Sequence, residues 1–280
     1  RIDKDTRVQG LSITPRFSAI YGISDKLPAK YMYTTAYIAP SPYFGFGAFA
    51  NAAVVNTVNP DLEAETGQAH EINLEYIRKN LKLGLSLYYG EQEGLIKAPN
   101  RGSQGVTILD PIFLDPAGTR RRRLTHAENG GTSRNLGADF YGRATVGTVS
   151  LWFSYSYVDF KETDRAGVTT GLPAISRHNG RLGATWAATP NLFITPSLVI
   201  RSPPEPVDPG QLKEEIRIPW QANLHVLYKV DSRFDVFMDI GNISNERNAL
   251  GGSRAIRVGE NPRAIPQEGI RGVLGIRMRF

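Results

Sequence analysis

The side chains that most often perform catalysis or bind metal ions do not form a recognisable arrangement in this sequence. The four histidines, His70, His126, His178 and His225, are far apart and lack the short spacing typical of metal ligands. The chain has no cysteine, which excludes disulfides, thiolate metal sites and cysteine nucleophiles. The glycine-rich residues 45–47 do not follow a strand and open a helix, so a phosphate-binding loop is not expected. We therefore expect no enzymatic activity, no metal and no cofactor.

The densest charge in the sequence is a run of four arginines, Arg120, Arg121, Arg122 and Arg123. Adjacent guanidinium groups repel one another, and they are tolerated more easily where they face phosphate or carboxylate groups, which guanidinium binds with two hydrogen bonds. The alternative is a solvated loop or a processing site. The net charge is +6, but the other arginines are spread through the chain and no nucleic-acid-binding motif is present. Nucleic acid is therefore not an expected partner.

The histidines and arginines are expected to lie on β-strands or in the loops between them, because apolar and polar side chains alternate along most of the chain. Residues 81–89 place four leucines at every second position, and residues 269–280 (GIRGVLGIRMRF) alternate in the same way up to Phe280. Period-two alternation predicts a strand with one apolar and one polar face. About eleven segments show it, each close to the roughly 9–11 residues that cross a bilayer at a tilt. They are residues 11–23, 29–38, 69–77, 81–89, 135–145, 148–159, 179–187, 192–201, 218–230, 234–243 and 269–280.

The connections between these segments alternate between short and long. The short ones contain Asn, Asp, Gly and Pro, which are typical of tight turns. They are residues 24–27, 79–80, 146–147, 189–191 and 231–232, and the long ones are residues 39–68, 90–134, 161–177, 202–217 and 244–268. In a closed antiparallel barrel the short turns lie at one rim and the long loops at the other, as in outer-membrane barrels. We therefore predict an all-β protein, a transmembrane antiparallel β-barrel.

The composition is compatible with such a barrel. Hydrophobic residues make up 41% of the chain, and no run approaches the roughly 18 apolar residues of a membrane-spanning helix. A soluble β-sandwich binding protein is the alternative, whereas a β-propeller would need a repeat of about 40 residues that is not found. Aromatic residues near the strand ends are expected to form two interfacial girdles. They are Tyr21, Tyr31, Tyr76, Tyr89, Trp186, Trp220, Tyr228 and Phe280.

Three stretches, in matching order, resemble the TonB-dependent outer-membrane receptors. Residues 37–43 (YIAPSPY) look like the family's F-R-A-P-S stretch, where a barrel strand enters an extracellular loop. Residues 59–66 (NPDLEAET) are close to its N-P-D-L-x-P-E-x segment, and residues 239–247 (DIGNISNER) resemble its V-x-N-L-F-N-x-x-Y stretch at the end of the penultimate strand. In that last stretch Asn242 and Asn245 match, whereas Ile243 and Ser244 replace the usual Leu-Phe. The terminal Phe280 is the residue type that the barrel-assembly machinery recognises in such proteins.

The resemblance implies a barrel of about 22 strands whose lumen holds an N-terminal plug. Residues 1–280 would then form the C-terminal half of that barrel, with the N-terminal half and the plug in the same gene product or in a separate chain. Eleven strands would not close alone, because single-chain bacterial barrels use an even number of strands. The implied location is the outer membrane of a Gram-negative cell.

The implied function is uptake of a scarce ligand, such as a ferric siderophore, another metal chelate, cobalamin or a glycan. Transport would be energised by the TonB complex through the plug. The alternative within the membrane is a structural or passive-pore component of an outer-membrane complex.

The resemblance also suggests candidate sites. The loop aromatics Tyr43, Phe44 and Phe46 are candidates for ligand binding, and packing among the loops is the alternative. The run Arg120–Arg123 would bind the phosphates of lipopolysaccharide or attract an anionic ligand. Arginines on the polar face are expected to line the lumen and to pair across strands or with the plug, because unpaired charges there cost energy. They are Arg143, Arg181, Arg271, Arg277 and Arg279.

Overall fold

The computed structural model describes residues 2–4, 11–47, 49–50, 54–97, 123–171, 175–204, 220–246, 249–250, 265–266 and 268–279. The elements within these ranges are, in chain order, β1 (Ile2–Lys4), β2 (Leu11–Ile13), β3 (Arg16–Ser24), β4 (Leu27–Ile38), α1 (Pro42–Phe46), β5 (Phe49–Ala50), β6 (Val54–Thr57), β7 (Glu65–Arg78), β8 (Leu81–Glu93), β9 (Ile96–Lys97), β10 (Arg123–His126), β11 (Glu128–Asn129), β12 (Thr132–Val146), β13 (Val149–Thr163), β14 (Thr169–Gly171), β15 (His178–Ala187), β16 (Leu192–Arg201), β17 (Trp220–Lys229), β18 (Phe234–Gly241), β19 (Ala249–Leu250), β20 (Ile265–Pro266) and β21 (Arg271–Met278). Among these residues no helix is long and apolar enough to cross a membrane.

One antiparallel sheet dominates the structure. Its strands follow the order β3-β4-β7-β8-β12-β13-β15-β16-β17-β18-β21, and β14 pairs with β13 beside it. Each segment that alternation predicted overlaps one of these strands. β3 and β21 form the two edges of the sheet, so the described residues do not close a barrel. Four small sheets lie in the connections: β1-β2, β5-β6-β10, β9-β11 and β19-β20.

Two features of the strands differ from the prediction. The predicted segment 11–23 is divided at Pro15, which has no N–H to donate to a ladder, and β2 pairs with β1 instead. β7, β8, β12 and β13 contain 14, 13, 15 and 15 residues, more than the roughly 9–11 that cross a bilayer. Their extra residues, which include Glu91, Arg134 and Lys161, continue the sheet with polar side chains towards the long connections.

Tight turns join the strands at one end of the sheet. Gly147 lies in the turn between β12 and β13 at a φ of 59°, a conformation that favours glycine. In the turn between β17 and β18, Asp231 Oδ1 accepts hydrogen bonds from the N–H groups of Arg233 (2.7 Å) and Phe234 (2.9 Å). The long connections, such as those from β4 to β7 and from β8 to β12, leave from the opposite end. The alternation of short and long connections therefore has the predicted spatial result.

The two faces of the sheet differ in polarity. Directly opposed residues on neighbouring strands share a face, so the strand register assigns each side chain to one face. On β7, β8, β12 and β13 one row of opposed residues consists of Leu74, Leu85, Phe140 and Tyr155, and the adjacent row on the other face consists of Asn73, Ser86, Asp139 and Ser156. We call these the apolar face and the polar face.

Exposure on the two faces is the reverse of that in a water-soluble protein. On the apolar face Leu274 and Ile276 are 76% and 73% exposed, whereas Asp235 on the polar face is fully buried. In the described part of the chain, Leu62 and Ala127 are the only buried hydrophobic residues. A β-sandwich packs its apolar faces against each other, so this arrangement contradicts the soluble alternative. An apolar surface of this extent marks a face that meets lipid.

Aromatic side chains border the apolar face at both ends. Tyr76, Trp186 and Tyr228 lie near the tight turns, and Tyr89 and Trp220 lie near the long connections. On β17, Trp220 and Tyr228 are eight positions apart, which is about 26 Å along the strand and about 20 Å across the membrane at a strand tilt of about 40°. Outer-membrane barrels carry an apolar band of about 25 Å between two aromatic girdles. The positions of these residues therefore agree with two girdles at the borders of a membrane-spanning band.

A charge on the apolar face is expected to be far more costly than the same charge on the polar face. Leu224 lies midway between the two girdle residues of β17, and its neighbour His225 lies on the polar face opposite Asp239. We expect Leu224→Arg to lower the free energy of unfolding by about 2–4 kcal/mol, the cost of arginine near the bilayer midplane. His225→Arg places a guanidinium group beside Asp239 and should change the free energy of unfolding by less than about 1 kcal/mol. Urea unfolding of the full-length protein in lipid vesicles measures both, and equal losses in the two variants would contradict the assignment of faces.

Candidate functional site

The five arginines predicted to line a lumen lie on the polar face. The strand register shows this, because each is directly opposite a polar-face residue of the neighbouring strand. The opposed pairs are Arg143 and Lys82, Arg181 and Ser154, Arg271 and Gly241, and Arg277 and Asp235. Arg279 follows β21 and continues the same alternation. Arg271 lies 3.1 Å from Glu268, and Arg279 forms an ion pair with the buried Asp235. Arg143 and Arg181 have no ion-pair partner among the residues described. The polar face therefore presents both paired and available guanidinium groups.

Polar side chains on this face bond to one another across the strands. Tyr141 OH donates to Glu75 Oε1 (2.7 Å), and Lys82 Nζ lies 2.8 Å from the same oxygen. Asn73 Nδ2 donates to Ser86 Oγ at 2.7 Å. These contacts join β7, β8 and β12. Cross-strand pairing thus accommodates part of the charge on this face, where isolated charges in partly buried positions are costly.

His225 forms a second cross-strand pair further along the sheet. Its Nδ1 lies 2.6 Å from Asp239 Oδ1, and the two residues are directly opposed on β17 and β18. The contact gives this histidine a hydrogen-bonded position between two strands. No group of His, Cys, Asp and Glu residues in the described ranges is arranged to hold a metal ion.

Aromatic rings cover four of the glycines on the polar face. Each ring comes from the residue directly opposite the glycine, and a Cβ added to the glycine would overlap the ring. The pairs are Tyr88 over Gly137, Tyr141 over Gly84, Trp152 over Gly183 and Phe237 over Gly275. Ring-on-glycine packing fixes the strand register and keeps large side chains close to the wall. Sequence analysis did not identify these pairs, because an aromatic residue can be matched to its glycine only after the register is known.

The three candidate loop aromatics belong to the short helix α1 at the end of β4. Ser41 caps this helix, and its Oγ accepts a hydrogen bond from the Tyr43 N–H. The rings of Tyr43 and Phe44 are 5.3 Å apart in an edge-to-face arrangement. Tyr43 and Phe46 are 48% and 63% exposed, whereas Phe44 is half-buried. The helix therefore presents Tyr43 and Phe46 at the loop end of the sheet.

Two asparagines hold the segment that follows α1. The Asn59 N–H donates to the Phe44 carbonyl (3.0 Å), and Asn59 Nδ2 donates to the Ala127 carbonyl (2.9 Å). Asn129 Oδ1 accepts from the Glu63 N–H at 2.7 Å, while its Nδ2 donates to the Glu63 carbonyl at 2.8 Å. The stretch 59–66 thus fastens two long connections to each other. Asn59 belongs to a stretch that the sequence singled out, but Asn129 does not.

Asn242 organises the end of the penultimate strand. It is 1% exposed and has a φ of 51°. Its Nδ2 donates to the carbonyls of Glu246 (3.0 Å) and Glu268 (3.3 Å), and its Oδ1 accepts from the Glu246 N–H (3.0 Å). Asn245, at a φ of 52°, accepts from the Ile270 N–H at 3.1 Å. Asparagine suits both positions because it tolerates a positive φ and bonds to nearby backbone.

The other candidate residues lie outside the described part of the chain. They are Arg120, Arg121, Arg122 and Phe280. The backbone of Arg123 begins β10, which pairs in parallel with β6, and its side chain lies outside the described set.

Removal of the Asn242 side chain is expected to loosen the last long connection. Asn242→Ala loses the side-chain hydrogen bonds to Glu246 and Glu268. Alanine also has no side-chain hydrogen bond to the nearby backbone that would offset the strain of a positive φ. We expect a loss of about 2–4 kcal/mol in unfolding free energy, because each buried group left unpaired costs about 1–3 kcal/mol. Proteolysis within residues 247–267 should also become faster.

Asn242→Gly is the matched control for backbone strain. It accepts the positive φ but lacks the side-chain hydrogen bonds, so it should be nearly as unstable as Asn242→Ala if those bonds matter. If Asn242→Gly were as stable as the wild type, the loss in Asn242→Ala would come from backbone strain at the positive φ and not from the missing hydrogen bonds.

A methyl group added beneath one of the rings is expected to disturb the sheet. Gly137→Ala would push the Tyr88 ring off the wall, at a cost of about 1–3 kcal/mol for overpacking. Gly22→Ala is the control, because nothing lies within 4 Å of the added Cβ. Heating in detergent, followed by the gel shift between folded and unfolded forms, compares the two variants. An unchanged midpoint for Gly137→Ala would show that this ring does not need a bare glycine.

The sequence matches the family model described as TonB dependent receptor-like, beta-barrel, over residues 1–235. Among curated proteins, no sequence matches this chain. Several solved structures are similar in fold. A point mutant of the ferric enterobactin receptor of Pseudomonas aeruginosa, in complex with enterobactin, has a TM-score of 0.72 and 15% identity, over 97% of this chain and 41% of that chain.

Two further structures give comparable values. The ferric-catecholate import receptor Fiu from E. coli K12 has a TM-score of 0.64 and 15% identity, over 97% of this chain and 35% of that chain. The copper transporter OprC has a TM-score of 0.71 and 14% identity, over 95% of this chain and 39% of that chain. The chain therefore spans only 35% to 41% of the length of these three proteins. Similarity at this level of identity shows the fold alone.

The family model covers most of the chain, and the polarity of the sheet, its loop asymmetry and its aromatic borders are those of a membrane β-barrel. The chain belongs to the TonB-dependent receptor-like β-barrel family, whose members are transporters in the outer membrane of Gram-negative bacteria and not enzymes.

Proposed function

We propose that residues 1–280 form the C-terminal half of a TonB-dependent transporter that takes up a scarce ligand across the outer membrane. The observation that carries the proposal is the match to the receptor β-barrel over residues 1–235. Candidate ligands are a ferric siderophore, another metal chelate, cobalamin and a glycan. The proteins of similar fold include receptors for ferric catecholate and ferric enterobactin and a copper transporter, which supports a metal-containing ligand.

The two sheet edges support a larger barrel. β3 and β21 each leave one row of backbone N–H and C=O groups without a strand partner among the described residues. Unpaired backbone groups are not tolerated in the hydrocarbon layer, so each edge needs another strand. We infer that an N-terminal barrel half, in the same gene product or in a separate chain, pairs with both edges and completes a barrel of about 22 strands.

The polar face supports a plug inside that barrel. Arg143 and Arg181 project from it without an ion-pair partner in the described part, and Arg271 is exposed. A plug with carboxylate groups at its surface would pair with these guanidinium groups and exclude water from the contact. The plug would also carry the contact with the TonB complex, which energises transport.

The loop end supports the capture of a ligand from outside the cell. Tyr43 and Phe46 are exposed there, and Phe44 anchors α1 to Asn59. Aromatic side chains bury large areas when they bind a ligand. Arg120–Arg123 would bind either lipopolysaccharide phosphates or an anionic ligand, since guanidinium pairs with both. At the other end of the chain, Phe280 would serve as the signal for the barrel-assembly machinery.

Uptake is tested with a strain from which the whole gene has been deleted. We expect slower growth when iron is limiting, and restored growth when the full-length receptor is supplied. A variant without the plug is the control, because it keeps the barrel and loses the link to TonB. Radiolabelled ⁵⁵Fe-chelate uptake measures the effect directly.

Two outcomes would oppose active transport. Normal growth of the deletion strain on every scarce nutrient tested would remove the uptake role. Equal uptake with and without the plug would favour the passive-pore alternative.

A further inference from the structure

The long connections, and not the large sheet, contain the hydrophobic residues that are buried in the described part of the chain. Leu62 lies in the connection from β4 to β7, and Ala127 lies in the connection from β8 to β12. We call these the first and the second long connection. Gly45 of α1 is also buried, and a Cβ added to it would lie 3.8 Å from the Asn59 carbonyl oxygen. Both connections therefore pack against other residues at the loop end of the sheet.

Backbone pairing joins the two connections directly. β6 of the first connection pairs in parallel with β10 of the second over four residues, from Val54 opposite Arg123 to Thr57 opposite His126. At the end of this pair, Thr57 Oγ1 lies 2.8 Å from His126 Nδ1, within hydrogen-bond distance. The two residues are 69 positions apart in the sequence. A ladder this short is marginal by itself, so neighbouring contacts must support it.

Asn59 extends the pairing towards α1. Its N–H donates to the Phe44 carbonyl of α1, and its Nδ2 donates to the Ala127 carbonyl of the second connection. One residue thus holds the helix with its backbone and the opposite connection with its side chain. Because α1 has only five residues, and short isolated helices are marginal in water, the position of this helix depends on such contacts.

Asn129 provides the reciprocal contact from the second connection. Its Oδ1 accepts from the Glu63 N–H and its Nδ2 donates to the Glu63 carbonyl, so it bonds to both backbone groups of one residue. Its Nδ2 also donates at 2.9 Å to the carbonyl of Gly94, which follows β8. Within the described residues, these hydrogen bonds reach the first connection at Glu63 and not at α1. Asn129 therefore fastens the first connection to the sheet from a distance.

These contacts make the exposed rings of α1 dependent on the second connection. Tyr43 and Phe46 project from the helix that Asn59 holds, and Asn59 lies four positions before Glu63. If Asn129 no longer holds Glu63, the segment between them and the helix gains conformational freedom. A binding surface that must be ordered by its ligand loses affinity, whereas a preformed surface avoids this cost.

We propose that the described parts of the two connections, residues 42–47, 54–63 and 123–130, form one cooperative unit in which Asn129 positions the exposed rings of α1. We call this the loop unit. Asn129 is then a positioning residue for ligand capture, although it belongs to the other connection. The inference rests on the proposed function, since capture at α1 is part of that proposal. The opposing model is that the two connections open independently of each other.

Amide hydrogen exchange of the full-length receptor in lipid vesicles tests the loop unit without a ligand. Asn129→Ala loses the bonds to Glu63 and Gly94, and we expect the amides of residues 42–47 to exchange at least about tenfold faster than in the wild type. Asn242→Ala is the matched control, because it removes asparagine-to-backbone bonds from a different long connection and should leave residues 42–47 unchanged. Unchanged exchange in Asn129→Ala, or equal acceleration in both variants, overturns the proposal.

A disulfide between β6 and β10 tests whether the effect depends on the joining of the two connections. Residues 1–280 contain no cysteine, so Thr57→Cys with His126→Cys adds one thiol pair in a background in which any cysteine outside these residues is replaced. In Asn129→Ala, oxidation of this pair should return the exchange of residues 42–47 to within about twofold of that with Asn129 intact, and reduction should remove the rescue. A disulfide that forms without rescue overturns the proposal, and so does a pair that does not form a disulfide under oxidising conditions.

Uptake measured in parallel separates this inference from the transport function. The probe is ⁵⁵Fe-enterobactin, because a ferric enterobactin receptor has a similar fold. We expect Asn129→Ala to raise the half-saturation concentration at least about threefold with an unchanged maximal rate, because the contact acts on capture. An unchanged half-saturation concentration would keep transport and overturn the positioning role. Absence of uptake by the wild-type receptor would remove this chelate as a ligand, and the exchange experiments would still decide the loop unit.

Discussion

A backbone that crosses hydrocarbon must satisfy its own hydrogen bonds, because no water is present to do so. The long antiparallel ladder meets this requirement: β12 alone opposes β8 over 13 residues and β13 over 15 residues. A ladder of this kind sends alternate side chains to opposite faces, so one residue in two must tolerate lipid. The exposed Leu274 and Ile276 on one face and the buried Asp235 on the other follow from this single requirement.

The polar face must then hold a large number of polar groups within a limited volume. Cross-strand contacts such as Tyr141 to Glu75 and His225 to Asp239 keep carboxylate groups within hydrogen-bond distance of polar side chains. Glycines opposite aromatic residues allow rings to lie on the wall and leave the space above it free for other groups.

Local patterns in the sequence were sufficient to predict the strands and their faces. Leu81, Leu83, Leu85 and Leu87 identify β8 and its apolar face with no information from elsewhere in the chain. Asn59 and Asn242 were singled out by the stretches that contain them, and both bond to the backbone of the long connections. The polar extensions of β12 and β13 were not predicted, because alternation of apolar with polar residues ends where the strand leaves the apolar band.

By itself the sequence determined the fold class, the two faces and the asymmetry of the connections, because each depends on residues that are close together in the chain. Only the tertiary structure decided which residues meet. Asn129 bonds to Glu63 over 66 residues, and Tyr88 covers Gly137 rather than another glycine. Alternation leaves a strand free to shift by two residues without a change of face, so it does not specify these partners. The register between distant strands specifies them, and the packed sheet sets that register.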